Sequence, residues 1–121
     1  MKKIKVVPMK DASFLVRVWL WLYTKANGFN KLNGWASFWH TVYIATDKLY
    51  DLKVIAHECQ HIKQIDDLGI PKFTYAYLKE TIKNGYRNNK YEIEARAATI
   101  EQFRGIYTIH HSTKVGTYTY L

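Results

Sequence analysis

A short segment near the middle of the chain, VIAHECQHIKQ at residues 54–64, carries side chains that can bind a metal. It places His57 and His61 four positions apart, with Glu58 directly after the first histidine. Residues four apart in a helix lie about 40° apart around the axis, so both imidazoles can reach one Zn²⁺ at about 2.0–2.1 Å. Glu58 then lies beside the metal, where a carboxylate can accept a proton from metal-activated water. The spacing therefore predicts a metal-dependent hydrolytic site.

The surroundings of the motif favour such a site over two ordinary surface histidines. The motif itself arises by chance in roughly 1% of chains with this many histidines and glutamates, so it is not sufficient alone. His57 and His61 share their helix face with Val54 and Ile65, so we expect another segment to cover that face. The opposite face is the predicted core stripe, in which Cys59 is a small buried hydrophobe. That stripe consists of Leu52, Ile55, Cys59 and Ile62.

A zinc site in a protein needs at least one more protein ligand, and a later predicted helix offers one. The segment NNKYEIEARAATIEQF at residues 88–103 contains Glu92 and Glu94, which lie about 200° apart on a helix, so only one can face inward. Glu92 lies at the edge of the predicted buried side, whereas Glu94 lies opposite, in line with Glu101, as a solvated charge. We therefore predict Glu92 as the third ligand, with water in the fourth position. The buried side is defined by Ile93, Ile100 and Phe103.

Together, HECQHIKQ and YEIEAR resemble the small gluzincin metallopeptidases, which pair His-Glu-x-x-His with a later glutamate on a second helix. The chain resembles in particular the minimal single-domain zincin-like proteins of bacteria and tailed bacteriophages, over about residues 35–103. The resemblance implies an α+β, minimal zincin-like fold: a small sheet, an active-site helix and a later ligand-bearing helix. It also implies a zinc-dependent peptidase acting on a peptide or protein substrate, with Glu58 as general base. In relatives with Glu-x-x-Ala-Asp the first glutamate binds zinc, and that position is Glu92.

Three roles stay open at this point. The aspartate of the family pattern, which supports a histidine ligand, is replaced by Arg96, and arginine cannot accept an imidazole N–H. Arg96, expected toward the buried side, can pair with Glu92, bind a substrate carboxylate or form an ion pair at the cleft edge. Glu94 and the His110–His111 pair remain alternatives for the third ligand. An electrophilic helper for the oxyanion is also expected, with Tyr86, Tyr91, His110 and His111 as candidates.

The first predicted helix is almost entirely apolar. It is expected to begin at an Asp11 cap, to end at residues 27–28 and to be buried on most sides, with only Arg17 and Thr24 forming a polar sector. The alternative is a face that binds a partner or a membrane. Its apolar run at 14–23 is about half the length that a membrane span requires.

The remaining pattern predicts a single α+β domain over residues 1–121. The strand at 37–45 is a candidate edge for binding an extended peptide by strand addition, or else an internal strand. The predicted elements are a strand at 4–9, a helix at 11–25, a loop at 28–34, a strand at 37–45, helices at about 52–67, 72–83 and 88–104, and a strand-like tail at 106–121.

Composition limits the function classes. The chain is 48% hydrophobic and has one cysteine, which fits a globular domain without an intrachain disulfide. The net charge of +8 attracts nucleic acid, but the lysines are scattered, so nucleic-acid binding is not favoured. No cleavable signal peptide is predicted, and a cytoplasmic location is expected. Two alternatives to the peptidase remain: a nucleic-acid-associated protein with structural zinc, and an interaction module with a vestigial zinc site that docks through residues 14–23.

Overall fold

A mixed five-stranded sheet forms the centre of the fold in the computed structural model, which describes residues 2–26, 32–112 and 117–119. The strands are β1 (Lys2–Pro8), β2 (Gly34–Ala36), β3 (Thr41–Ile44), β4 (Tyr107–Ser112) and β5 (Thr117–Thr119). Their order is β2-β3-β1-β4-β5. Central β1 pairs in parallel with β3 and β4, and the edge strands β2 and β5 run antiparallel to their neighbours.

Four helices accompany the sheet and confirm the predicted α+β class: α1 (Phe14–Ala26), α2 (Leu52–Leu68), α3 (Ile70–Asn84) and α4 (Lys90–Arg96). The ends of α2 follow the expected signals. The Asp51 carboxylate accepts hydrogen bonds from the backbone N–H groups of Lys53 and Val54, at 3.0 and 3.3 Å. Gly69, with φ of 85°, ends the helix in a conformation that favours glycine. The helix that carries the two histidines is thus fixed at both ends.

The hydrophobic core lies between the sheet and α2. Ile4 and Val6 of β1 are buried, as are Ile55 and Cys59 of α2. The predicted core stripe is therefore confirmed except at Leu52, which is 50% exposed. Phe103 from a 3₁₀ turn (Ile100–Phe103) fills the core beside them. Each such side chain contributes about 1.5–3 kcal/mol when fully buried.

The strand predicted at 37–45 is instead a turn followed by β3, and the edge strand is β2. The Ser37 hydroxyl is buried, donates to the Thr41 carbonyl at 2.7 Å and accepts from the Thr41 and Trp39 N–H groups. These local bonds stabilise a turn where a strand was expected from propensity. His40 completes the turn with φ of 58°.

The turn is also tied to the far end of α2. The His40 Nε2 atom lies 2.8 and 2.9 Å from the two carboxylate oxygens of Asp66, and the Tyr107 hydroxyl donates to the same carboxylate at 2.5 Å. Burial raises the pKa of Asp66, but the hydrogen bonds from Tyr107 and His40 outweigh it and lower the pKa overall. The β2–β3 hairpin is therefore held against α2.

The predicted helix at 88–104 ends at Arg96. Thr99 adopts an extended conformation and forms a capping box with Gln102, which starts the separate 3₁₀ turn. Because the helix does not continue, the predicted buried side is wrong at Ile93, which is 50% exposed.

The first helix departs most from expectation. Ser13 rather than Asp11 caps it, since the Ser13 hydroxyl accepts from the Val16 N–H at 3.4 Å. Asp11 instead lies in a 3₁₀ turn (Met9–Asp11), and the predicted helix end at 27–28 falls outside the described residues. Only Leu20 is fully buried, so burial on most sides is wrong. Packing of α1 on the other helices and strands is sparse.

No helix in the described part of the chain is long and apolar enough to cross a membrane. The tail prediction is confirmed for β4 and β5, with residues 113–116 and 120–121 outside the description.

Replacing Ser37 by alanine should destabilise the fold by about 1–3 kcal/mol, because the buried Thr41 N–H and the partly buried Trp39 N–H lose their acceptor. Chemical denaturation measures this free energy. The control is Thr74→Ala, which removes an exposed hydroxyl that bonds back to Ile70 within its own helix, and should change stability by no more than about 0.5 kcal/mol. Equal small effects in both variants would show that the turn does not depend on Ser37.

Candidate metal centre

Helices α2 and α4 bring His57, His61 and Glu92 together, as the sequence predicts. The Nε2 atom of His57 lies 3.0 Å from Glu92 Oε1, and that of His61 lies 3.0 Å from Glu92 Oε2. One ligand atom from each residue lies within 4.8 Å of the others. Two imidazole nitrogens and a carboxylate oxygen are a donor set suited to a divalent transition metal. The triad can therefore hold a metal ion.

Glu92 is positioned by the start of α4. Asn89, fully buried, caps this helix by accepting from the Tyr91 N–H at 2.8 Å. Its amide donates to the Tyr77 carbonyl and the Thr81 hydroxyl, at 3.1 and 2.9 Å, which fastens α4 to α3. The first turn of α4 is thereby directed at the two histidines.

Hydrogen bonds and nearby charges shift the pKa values of Glu92 and His61. Burial raises the pKa of Glu92, but hydrogen bonds from His57 and His61 outweigh it and hold the pKa far below its usual range. Burial lowers the pKa of His61, but the hydrogen bond to Glu92 and the charges of Glu58 and Glu92 raise it to about 9. Without metal, His61 is therefore a cation at neutral pH, and protons compete with a metal for this site.

Gln64 supplies the orienting group that the sequence did not identify. Its Oε1 lies 2.9 Å from His61 Nδ1, while its amide donates to the Tyr91 carbonyl at 3.1 Å. This holds Nε2 of His61 toward Glu92 and links the helix carrying two ligands to the helix carrying the third. Gln64 is three residues after His61, so helical spacing was a signal available in the sequence.

Glu94 is exposed, as predicted, but it is not an isolated solvated charge. Its carboxylate accepts from the amides of Gln60 and Gln64, at 2.5 and 3.1 Å. Gln60 in turn accepts from the Gln102 amide at 2.7 Å. Glu94 thus joins the amides of Gln60 and Gln64, and through Gln64 this hydrogen-bonded chain reaches His61.

Glu58 is a buried carboxylate, 8% exposed, directly beside the triad. Burial raises its pKa, His61 and His57 oppose this, and Glu92 adds to it, leaving the pKa raised. Within the ranges that the structure describes, Glu58 makes no hydrogen bond. A buried carboxylate without such a partner is costly, so Glu58 is a candidate for a chemical role.

The edge strand β2 approaches Glu58 closely at Gly34. A Cβ atom added at Gly34 would lie 2.8 Å from Glu58 Cγ and 3.0 Å from Oε2. Any larger residue there would displace Glu58, so glycine permits the edge strand to lie against the carboxylate. Gly34 was expected in a loop, and no pattern in the sequence indicated this contact.

Two cavities open at the triad, of about 420 and 460 Å³. His57, Glu58 and Gly34 line both. The smaller is mainly aromatic and aliphatic, with Trp35, Phe38, Ile65, Phe73 and Leu78 in its walls. The larger is more polar and includes Lys53 and Arg96. The triad is therefore open to molecules from outside.

The tyrosines around Glu92 only partly match the predicted oxyanion helpers. Tyr86 lines both cavities, and burial followed by the charges of Glu92 and Glu58 raises its pKa. Tyr77, which no sequence signal indicated, donates to Glu92 at 2.5 Å. Tyr23 lines the apolar cavity, and burial followed by the charges of Glu92 and Glu58 raises its pKa to about 12.

The other candidates lie elsewhere. Tyr91 packs against Phe73 and lines neither cavity. On β4, His111 is within 2.7 Å of the Leu49 carbonyl, and neither it nor His110 joins the metal-capable cluster of the described residues. Tyr86 is thus the predicted helper that the fold brings to the site.

Arg96 is exposed rather than turned toward the buried side. Its guanidinium donates to the Arg87 carbonyl and forms no ion pair with Glu92 or another described carboxylate. It lines the polar cavity with His57 and Glu58. Of the three predicted roles, pairing with Glu92 and an ion pair at the cleft edge are wrong, and binding of a substrate carboxylate stays a prediction.

Comparisons with models of known protein families, with curated proteins and with solved structures gave no match. The site is accordingly interpreted from its own geometry.

Separate substitutions of Glu92 and Glu94 should distinguish a metal ligand from a residue that only supports the ligands. Glu92→Ala should weaken metal binding by more than about 100-fold, beyond the usual effect of losing a ligand's partner. Glu94→Ala should keep one metal per chain but lose about 1–2 kcal/mol of stability, because buried amides lose an acceptor. Metal analysis, chelator competition and denaturation measure these changes.

The matched control is Glu101→Ala, which removes a carboxylate that is 67% exposed and paired only with exposed Arg104. It should keep both metal and stability within about 0.5 kcal/mol. Metal loss in Glu94→Ala with retention in Glu92→Ala would transfer the ligand to Glu94. Stoichiometric metal in a His57→Ala/His61→Ala variant would place the site elsewhere.

Raising the pH should affect the metal-free and metal-bound proteins in opposite directions. The pKa of His61 is about 9 in the fold against 6.5 ordinarily, so its protonation stabilises the metal-free protein below pH 6.5 and that stability is lost as the pH rises toward 9. Metal affinity should rise over the same window, because a metal requires neutral imidazole. Urea unfolding in EDTA and chelator-buffered titrations test this. A metal-free stability that does not change across the window would contradict it.

Proposed function

We propose that this protein is a zinc-dependent peptidase of the minimal gluzincin type. The proposal rests on one observation above others: the buried carboxylate of Glu58, which makes no hydrogen bond with a described residue, lies beside a metal-capable triad at the junction of two cavities. The donor set of two histidines and a glutamate suits zinc. The resemblance of HECQHIKQ and YEIEAR to gluzincins supports the same assignment.

Each residue of the site has a separate role in the proposed hydrolysis. Zinc held by His57, His61 and Glu92 would supply Lewis-acid activation of the carbonyl and of water. Glu58 accepts the proton of the attacking water, for which its raised pKa suits it, and then gives that proton to the leaving amine. Tyr86, at the wall of both cavities, can donate a hydrogen bond to the developing oxyanion.

Strand β2 offers the place for the peptide. It is an edge strand whose outer side pairs with no described strand, and Gly34 brings its backbone against Glu58. A substrate added as a further strand would pass its scissile bond over that carboxylate. The apolar cavity, with Trp35 and Phe38 in its walls, can accept a large apolar side chain of the substrate. We therefore propose that the peptide binds along β2 rather than along the segment 37–45.

Glu58→Gln should keep the fold and one zinc per chain, but lower peptide hydrolysis by about 10²–10⁴-fold, because an amide cannot accept the proton. The assay uses a pool of internally quenched peptides and zinc-loaded protein. Glu101→Gln changes an exposed carboxylate that has no role in the site, so this variant should cleave like the wild type.

Two results would contradict the proposal. One is wild-type turnover by Glu58→Gln. The other is zinc-loaded wild-type protein that cleaves no member of a pool varied at every position.

A further inference from the structure

The outward face of α1 is an apolar surface on a helix that packs only sparsely. Leu15 and Phe14 are 78% and 76% exposed, and every large apolar side chain on this face is at least 39% exposed. A helix of a soluble domain normally turns such residues inward. The exposed set is Phe14, Leu15, Val18, Trp19, Trp21 and Leu22.

These side chains form one continuous face. With 3.6 residues per turn, they span an arc of about 160° around the helix axis. The opposite side carries Val16, Leu20, Tyr23 and Thr24, which are the buried and half-buried residues among the described side chains of the helix. The helix therefore uses its smaller apolar side for the domain and presents its larger apolar side outward.

Arg17 borders this face, and Lys25 lies within its arc at the carboxyl end of the helix. Lys10, Arg17 and Lys25 line a groove of about 430 Å³ together with Trp21. Among the described residues lining the groove none is acidic, and α1 itself contains no aspartate or glutamate. The whole chain carries a net charge of +8. Apolar, aromatic and basic side chains thus occur together on one surface.

We propose that α1 binds the surface of an anionic lipid bilayer, lying in the plane of the interface. Apolar and aromatic side chains enter the boundary between headgroups and acyl chains, and flanking lysine and arginine attract anionic headgroups. Tryptophan is enriched at this depth because its ring is apolar with one polar N–H.

Charge disfavours a second copy as the occupant, because two such faces would bring Arg17 and Lys25 of each copy near those of the other. Nucleic acid would use the cations but leave Phe14, Leu15 and Leu22 without apolar partners.

The same helix reaches the candidate active site. Trp19 lies on the outward face, packs edge-on against Trp35 with ring centroids 6.4 Å apart, and lines the apolar cavity. Binding through α1 would hold that cavity at the bilayer surface. This inference concerns binding alone and does not depend on peptidase activity.

Sedimentation with vesicles tests the proposal on the full chain. The protein should sediment with vesicles containing about one-third phosphatidylglycerol in phosphatidylcholine, and only weakly with phosphatidylcholine alone. Raising KCl from about 50 to about 500 mM should reduce the binding, because salt screens the charges. Trp emission should shift to shorter wavelength on binding.

Two pairs of variants separate the components. Leu15→Gln/Leu22→Gln removes apolar area, and Arg17→Glu/Lys25→Glu reverses two charges, without touching the triad. Each should reduce partitioning by about tenfold or more. The control is Ile82→Gln/Lys79→Glu, which makes the same types of change at exposed positions of α3 and should alter partitioning less than about twofold. Circular dichroism verifies that every variant is folded.

Several outcomes would overturn the proposal. These are no sedimentation with anionic vesicles, sedimentation that the α1 variants leave unchanged, or equal loss in the α3 control. A dimer in analytical ultracentrifugation that the α1 variants dissociate would assign the face to self-association. Preferential binding of duplex DNA, lost in the same charge variant, would assign it to nucleic acid.

Discussion

The site geometry depends on one interaction. The almost fully buried carboxylate of Glu92 forms hydrogen bonds with two imidazoles. Withdrawing a carboxylate from water is costly unless charged or polar partners replace the water. Here His57 and His61 on α2 and the Tyr77 hydroxyl on α3 supply those partners. Three helices must therefore keep their relative positions for Glu92 to remain compensated, with or without a metal.

A layer of uncharged amides surrounds this charged centre. Gln60, Gln64 and Gln102 each use both ends of the amide or pass a hydrogen bond to a neighbour. Amides do not titrate, so their alignment of His61 is the same whatever the charge of the triad. The negative group that joins two of these amides, Glu94, lies at the surface, where its desolvation cost is small.

Short sequence patterns predicted those features of the site that depend only on residues near them in the chain. The spacing of His57 and His61, the Asp51 and Gly69 ends of α2, and the buried Cys59 all follow from helical geometry and capping, which short segments determine. Glu92 was also selected, although the helical wheel that selected it assumed a helix continuing to residue 104. The predicted position of Glu92 is still correct, because α4 is a regular helix over its first turn and the course of the chain after Arg96 does not affect that turn.

The features that could not be predicted depend on tertiary contacts. Gly34 is significant only because β2 lies against Glu58, and Tyr77 only because α3 crosses beside α4. The orientation of α1 was mispredicted for a related reason. An apolar helix is normally buried, and no local signal states whether a protein contains enough partner surface to bury it. Ser37 illustrates the opposite case, where a side chain competes with the strand propensity of its neighbours.

The parallel pairing of β1 on both sides also has a consequence for the order of folding. Lys5 pairs with Thr41, but Lys2 pairs with Tyr107, a separation of 107 − 2 = 105 residues. Contacts so distant along the chain close slowly, because the entropy of a long loop must be lost before they form. One side of the central strand therefore stays without a neighbour until β4 arrives, and an uncovered strand edge is a template for pairing with other chains. During synthesis, this interval is when the protein is most exposed to aggregation.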